Sequence, residues 1–323
     1  MNAPATRPPS RAFRAYRLVN RPYYWFRPGQ ALARLRGAPT PPPGADGTSL
    51  VPTAWGSALY CWPDSLGLAV ARTGVYDLPV AETLARLTEE GETAVDAGAN
   101  VGLMTNLLAH AVGARGRVVS FEPHPLVFAT LARNAARLRD VDRLDVVELR
   151  QAGVSQARGT LPLRIDPQTF SYNKGTASLQ APTPGSPPGS AAGESVEVAT
   201  VRLDEELAGP IGVMKLDVEM HELQALRGAS ALLARGAVRD IVFEEHEPPP
   251  TPVTELLQAS GYTILGVRQG VLRPLVSAPL DAYRRQLWDP PALLATRDPE
   301  RARERLRPLG WRALRRGLAR RRG

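Results

Sequence analysis

The segment Asp96-Ala97-Gly98-Ala99-Asn100-Val101-Gly102 constrains this chain most, because it joins an apolar strand to a helix through a loop of small residues. The strand is Thr93-Ala94-Val95 running into Asp96. The helix runs from Leu103 to Val112, with Leu103, Leu107, Leu108 and Ala111 as its apolar positions. Gly98 and Gly102 let the backbone turn sharply and approach a ligand with no side chain in the way. A second strand, Arg117-Val118-Val119-Ser120-Phe121, ends on Glu122 and Pro123, where a nucleotide-binding unit sets a carboxylate against ribose hydroxyls. The two strand ends predict one pocket for a nucleoside cofactor.

Departures from the dinucleotide pattern narrow the choice of cofactor. A Gly-x-Gly-x-x-Gly loop needs its middle glycine so that the backbone can reach a pyrophosphate, and Asn100 stands there instead. An acid at Asp96 repels a pyrophosphate but suits a ligand with a sulfonium and an ammonium group. S-adenosylmethionine fits these residues better than NAD. A glycine loop alone also describes an ordinary strand-to-helix turn, so the reading rests on the loop together with Glu122.

The rest of the chain alternates strands and helices. Leu59-Tyr60-Cys61-Trp62 and Leu68-Ala69-Val70 read as short strands leading to a helix from Val80 to Leu87, a small cap. Leu126, Phe128, Leu131, Ala135 and Leu138 make a helix face, and Leu144 to Leu149 a third strand. Residues 155–202 break the alternation, with short strands around Leu161-Pro162-Leu163 and Ser195 to Val201. The Pro/Gly/Ser-rich stretch Pro182 to Gly193 between them reads as a loop. A fourth strand (Ile211–Leu216), a helix (Glu222–Leu233), a fifth strand (Ile241–Phe243), a helix (Val253–Gln258) and a final strand pair (Tyr262–Val267, Val271–Val276) follow. Such alternation predicts an α/β fold with a mostly parallel sheet covered by helices on both faces. Ligands then bind beyond the carboxyl ends of the strands, and Asp96, Glu122, Asp217 and Glu244 all fall at predicted strand ends.

Only Lys174 and Lys215 are lysines among the 40 basic residues. Lys215 lies inside an apolar strand, where an ammonium needs a partner, and Asp217 is two residues on and so on the same face. Glu244 and His246 share the same spacing, so both are expected to point into the site. His246 would take a proton from an acceptor hydroxyl. His221 is a second candidate at a helix start, whereas His110 and His124 look ordinary. Asp217, Glu219, Glu244 and His246 also suit magnesium or manganese, although nothing in their spacing demands a metal.

Several later motifs resemble the FkbM-like S-adenosylmethionine-dependent methyltransferases. They are Val95 to Gly102, Val119-Ser120-Phe121-Glu122-Pro123-His124-Pro125, Val201-Arg202-Leu203-Asp204, Met214 to Glu222, Leu226-Arg227-Gly228-Ala229 and Phe243-Glu244-Glu245-His246. The resemblance covers residues 92 to 246 and implies a Rossmann-like class I methyltransferase with a terminal antiparallel hairpin. It implies S-adenosylmethionine as cofactor, held by Asp96, Gly98, Asn100, Gly102, Glu122 and Pro123. It further implies an acceptor site including Lys174, Asp204, Glu219 and His221, with Lys215, Asp217, Glu244 and His246 as catalytic candidates. The expected acceptor is a hydroxyl on a small molecule, a saccharide, a glycolipid or a secondary metabolite. The alternatives are N-methylation of a small amine and a non-catalytic cofactor-binding module. Family members usually carry glycine where this chain has Met220.

Charge separates the ends from the body. Residues 1–36 hold eight arginines and no acid, and residues 301–323 hold ten arginines against Glu304, so the overall +8 conceals an acidic body. Basic charge confined to the ends argues against a nucleic-acid enzyme. The expected organisation is a basic, aromatic arm (1–48), a methyltransferase domain (49–276, with a cap at 49–91 and a flexible loop at 182–193) and a C-terminal extension (277–323) whose Arg-rich tail reads as a solvated end or as a contact with phosphates or anionic lipid. Tyr23-Tyr24-Trp25-Phe26, between Arg21 and Arg27, reads as a strap packed on the domain or as a contact with anionic membrane. A single cysteine, Cys61, excludes an internal disulfide. The sequence shows no signal peptide or apolar membrane span, which predicts a cytoplasmic protein.

Overall fold

The computed structural model describes residues 19–29, 32, 42–179, 194–284 and 292–318. Its strands are β1 (Ser49–Pro52), β2 (Ala58–Cys61), β3 (Thr93–Ala97), β4 (Arg117–Phe121), β5 (Val147–Arg150), β6 (Gly153–Val154), β7 (Gly159–Ile165), β8 (Glu194–Val201), β9 (Ile211–Leu216), β10 (Val238–Phe243), β11 (Thr263–Gln269), β12 (Pro274–Ser277) and β13 (Ala292–Thr296). Eight of them form the main sheet in the order β12-β11-β13-β10-β9-β3-β4-β5. From β5 to β10 the pairing is parallel; β3, β4, β9 and β10 are buried on both faces, as their apolar runs require, while the edge strand β5 is half-buried. Side chains alternate between two apolar layers. Ala94, Val118, Val213 and Val242 face one layer, and Val95, Val119, Met214 and Ile241 the other.

The chain leaves β3 toward β4 and β5 and returns on the opposite side of β3 as β9. Strand order therefore reverses beside β3, and a crevice opens there at the carboxyl ends. A second sheet, β6-β8-β7, occupies the segment that interrupts the alternation. The loop expected at 182–193 lies outside the described residues.

Several expectations change. Leu68-Ala69-Val70 belongs to a helix, Ser65–Thr73, whose start is capped by Asp64 accepting the Gly67 N–H and whose end is Gly74 in a left-handed conformation. The helix expected over Glu222–Leu233 is two helices, Glu222–Arg227 and Ser230–Ala234. The boundary placed at 276 falls inside the sheet. β11 and β12 do form an antiparallel hairpin, but β13 then inserts between β10 and β11, antiparallel to both, and is buried throughout. The described part of the tail is likewise not a solvated end. Arg301 bridges Glu89 (2.8 Å) and Asp240 (3.0 Å), and Trp311 is fully buried. In the N-terminal arm Tyr23 and Phe26 pack on the core, as a strap does. Among the described residues no helix is long and apolar enough to cross a membrane.

Candidate active site

Beyond β3 the backbone doubles back on its neighbours. Gly98 has φ +78°, and a Cβ there would overlap the Asp217 carbonyl oxygen. Its role is therefore contact between the loops after β3 and β9 as well as room for a ligand. The Gly98 and Ala99 N–H groups donate to the Phe121 carbonyl (3.0 and 2.8 Å), tying the loop to the end of β4. Glu122 is held by two backbone donors, Asn100 N–H and His124 N–H, each at 2.9 Å. Burial pushes its carboxyl up to about 7 against these two bonds. Phe121, Pro123, Ala152, Gly153 and Val154 form the adjoining, largely apolar wall of the cavity.

The centre of the site is a buried ion network. Asp96 and Lys215 are cross-strand partners in the β3–β9 register. The Lys215 ammonium donates to the Gly98 carbonyl (2.7 Å) and lies 3.2 Å from Asp217 Oδ2 and 3.6 Å from Asp96 Oδ1. Burial opposes its charge, but Asp217 and Asp96 more than offset this and hold the ammonium well above its ordinary range. Asp96 is fully buried and does not line the cavity; its other oxygen accepts from Thr105 Oγ1 at 2.6 Å. The expectation that Asp96 meets a cationic ligand directly is thus corrected. Its charge is already matched by Lys215, and Asp217, 34% exposed, is the carboxylate that the network presents to the cavity.

Three further acids border the cavity. Burial pushes Glu219 up to about 7, with Asp217 and Glu222 adding to the effect. Burial, Asp77 and Asp217 push Glu244 up to about 10, so the Glu244–Asp77 pair holds a proton between its two carboxyls at neutral pH. Asp77 comes from the cap, where it starts the helix Leu78–Leu87 by accepting the Val80 N–H (3.2 Å) and hydrogen-bonds Glu244. Lys174 also lines the cavity. Its ammonium donates to the Phe170 carbonyl (3.0 Å) and lies 4.8 Å from the centre of the Phe170 ring.

A sequence model of the methyltransferase FkbM domain matches residues 96–264. The chain belongs to the FkbM methyltransferase family. It is 30% identical over 206 residues to the 31-O-demethyl-FK506 methyltransferase FkbM of Streptomyces tacrolimicus, spanning 54% of this chain and 74% of that protein. It is 29% identical over 184 residues to the hexuronic acid methyltransferase AglP of Haloferax volcanii, spanning 55% of this chain and 66% of that protein. Among solved structures, the methyltransferase FkbM from Methylobacillus flagellatus KT aligns at 16% identity and a TM-score of 0.39, over 64% of this chain and 43% of that one.

Within this FkbM-family methyltransferase, four residues singled out from sequence lie away from the cavity lining in addition to Asp96. His246 is exposed, because β10 ends at Phe243 and the two-residue alternation that would aim His246 inward does not continue. His221 is buried 3.0 Å from Ser155 Oγ. Asp204 accepts the Ala231 (3.1 Å) and Leu232 (2.9 Å) N–H groups, capping the helix Ser230–Ala234. Gly102 ends the loop at φ +88° and packs against Leu131. Among the described residues no three His, Cys, Asp or Glu side chains are placed to share a metal ion. Sequence reasoning missed Asp77 and the wall Ala152-Gly153-Val154. The carboxyl end of the third strand pointed toward the latter, but nothing local points from Asp77 to Glu244.

Met220 stands in a left-handed turn of the kind that favours glycine. Glu219 and Met220 have φ +51° and +69°, and Ser178 Oγ donates to the Glu219 carbonyl to hold the turn. A non-glycine residue in this region costs roughly 1–2 kcal/mol, and glycine's extra unfolded-state freedom returns part of it. Met220→Gly should therefore stabilise the protein by about 1 kcal/mol in denaturant unfolding. A destabilised variant would show that the exposed Met220 side chain contributes packing that offsets the strain.

Proposed function

We propose that this methyltransferase takes its methyl group from S-adenosylmethionine and places it on a hydroxyl of a sugar or secondary metabolite, with Glu219 as the base. The observation that carries the reading is one cavity lined by a backbone-held carboxylate, Glu122, a half-buried, near-neutral carboxylate, Glu219, and the Lys215–Asp217 pair. The donor set fits the cofactor. Glu122 keeps lone pairs for a ribose diol, the wall from Phe121 to Val154 suits an adenine, and Asp217 suits a cationic centre. When bound, the cofactor supplies an electrophilic methyl group. The hydroxyl-bearing acceptors named for two relatives, a demethyl-FK506 and a hexuronic acid, support an oxygen acceptor.

The remaining work falls to the chain. Glu219, with an affinity for protons near neutrality, is matched to taking the acceptor proton. The proton held between Glu244 and Asp77 fixes the position of both carboxyls in the cavity lining. Lys215 holds Asp217 and the Gly98 loop in one geometry, so the reacting groups are positioned before they meet.

Calorimetry with S-adenosylhomocysteine tests the cofactor end. Diol hydrogen bonds favour ionised Glu122, so binding below about pH 7 must displace a proton; affinity should rise as pH approaches 7 and then level off, by at most about tenfold per unit. Glu122→Ala should weaken binding by about 1–3 kcal/mol and remove the pH dependence. Wild-type protein that binds no S-adenosylhomocysteine would overturn the reading.

A further inference from the structure

The described parts of the two ends, residues 19–29 and 301–318, both reach the turn after β11. Asn20 Nδ2 donates to the Gln269 carbonyl (3.0 Å) and Gln269 Nε2 to the Asn20 carbonyl (2.9 Å), fastening the N-terminal segment to the end of β11. The tail reaches the same turn, where Gly310 N–H donates to the Leu272 carbonyl (2.7 Å) and Arg273 Nη1 to the Arg307 carbonyl (2.6 Å). Each of these segments exposes a large apolar side chain: Val19 (48%), Trp25 (61%), Leu272 (55%) and Leu309 (69%).

Arginines adjoin these residues. Leu309 borders a cavity of about 250 Å³ that is also lined by Arg86, Arg305, Arg312 and Arg315. Arg86 and Arg305 are matched by Glu82 and Glu89, while Arg315 and Arg316 are exposed. Half-buried Arg27, from the N-terminal segment, donates to the Thr73 carbonyl (3.0 Å), and burial and Arg316 both oppose its charge. Arg7, Arg11, Arg14 and Arg17 precede the segment in sequence.

We propose that the N-terminal segment and the C-terminal tail together form a docking surface for an anionic membrane. Apolar side chains among arginines suit the interface of a bilayer, where leucine and tryptophan enter the headgroup region and guanidiniums meet lipid phosphates. A nucleic-acid surface has use for the arginines and none for the exposed leucines. β11 and β10 are both antiparallel to β13 and so run the same way. The Gln269–Arg273 turn follows the carboxyl end of β11, while Arg305 pairs with Glu89 ahead of β3.

Flotation of the full chain at low salt, with vesicles of phosphatidylcholine alone or mixed with phosphatidylglycerol, tests the surface. The protein should float with the mixed vesicles and not with phosphatidylcholine alone. Neutralising Arg315 and Arg316 should lower partitioning by roughly fivefold per arginine. Leu272→Ser with Leu309→Ser should lower it further while leaving the thermal melt unchanged, since both side chains are already in water. Failure to float with the mixed vesicles overturns the proposal. So does undiminished flotation of the leucine variant, or a single-stranded RNA oligonucleotide that strips the protein from the vesicles while binding the leucine variant as tightly as wild type.

Discussion

Glu219→Gln is expected to lower kcat by about a hundredfold to ten-thousandfold, the usual contribution of a single general base, while affinity for S-adenosylhomocysteine stays within a few-fold of wild type. The replacement keeps the side chain's shape and removes its basicity. With saturating cofactor, wild-type kcat should fall as pH drops below about 7, because Glu219 must be ionised to accept a proton and its carboxyl is raised to that value. The glutamine variant should lose this acid limb. His246→Ala, at an exposed position beyond the end of β10, should turn over normally. The assay calls for a panel of nucleotide sugars, glycolipid precursors and hydroxylated metabolites as acceptors. A Glu219→Gln enzyme that keeps wild-type turnover and its acid limb would place the base elsewhere.

Lys215→Met should destabilise the protein by about 3–5 kcal/mol, the range seen when one partner of a buried ion pair is removed. Asp96 would then be fully buried with Thr105 as its remaining side-chain donor, and the Gly98 carbonyl would lose its ammonium donor. Cofactor affinity should fall as well, because the same ammonium fixes the loop after β3. Asp96→Asn in the Lys215→Met background should recover part of the lost stability, since it removes the stranded charge. Urea unfolding measures both effects. Equal midpoints and slopes for wild type and Lys215→Met would show that the network is not a structural element.

The glycine loop and the strand ends at Ala97 and Phe121 were legible because each depends on local spacing: an apolar run, a residue that allows a left-handed turn, and an amphipathic helix. Lys215 with Asp217 was legible for a similar reason, as a charge in an apolar strand requires a partner and the two-residue period supplies one. His246 fails the same rule because the period holds only while the strand continues, and β10 stops at Phe243. An acceptor-binding aspartate and a helix-capping one look alike in sequence; the N–H groups of Ala231 and Leu232 make Asp204 the latter.

The sequence by itself determined the α/β alternation, the nucleoside-type loop, the FkbM kinship and the strand ends where acids collect, because short-range periodicity and motif order carry those. Tertiary structure decided that β13 enters the sheet between β10 and β11, that Asp96 faces Lys215 behind the cavity, and that Asp77 meets Glu244 at its rim. It also decided which carboxyls are raised toward or above neutrality. These depend on which neighbour a side chain meets and how much water it loses, and both are set by the packing of segments far apart in the chain.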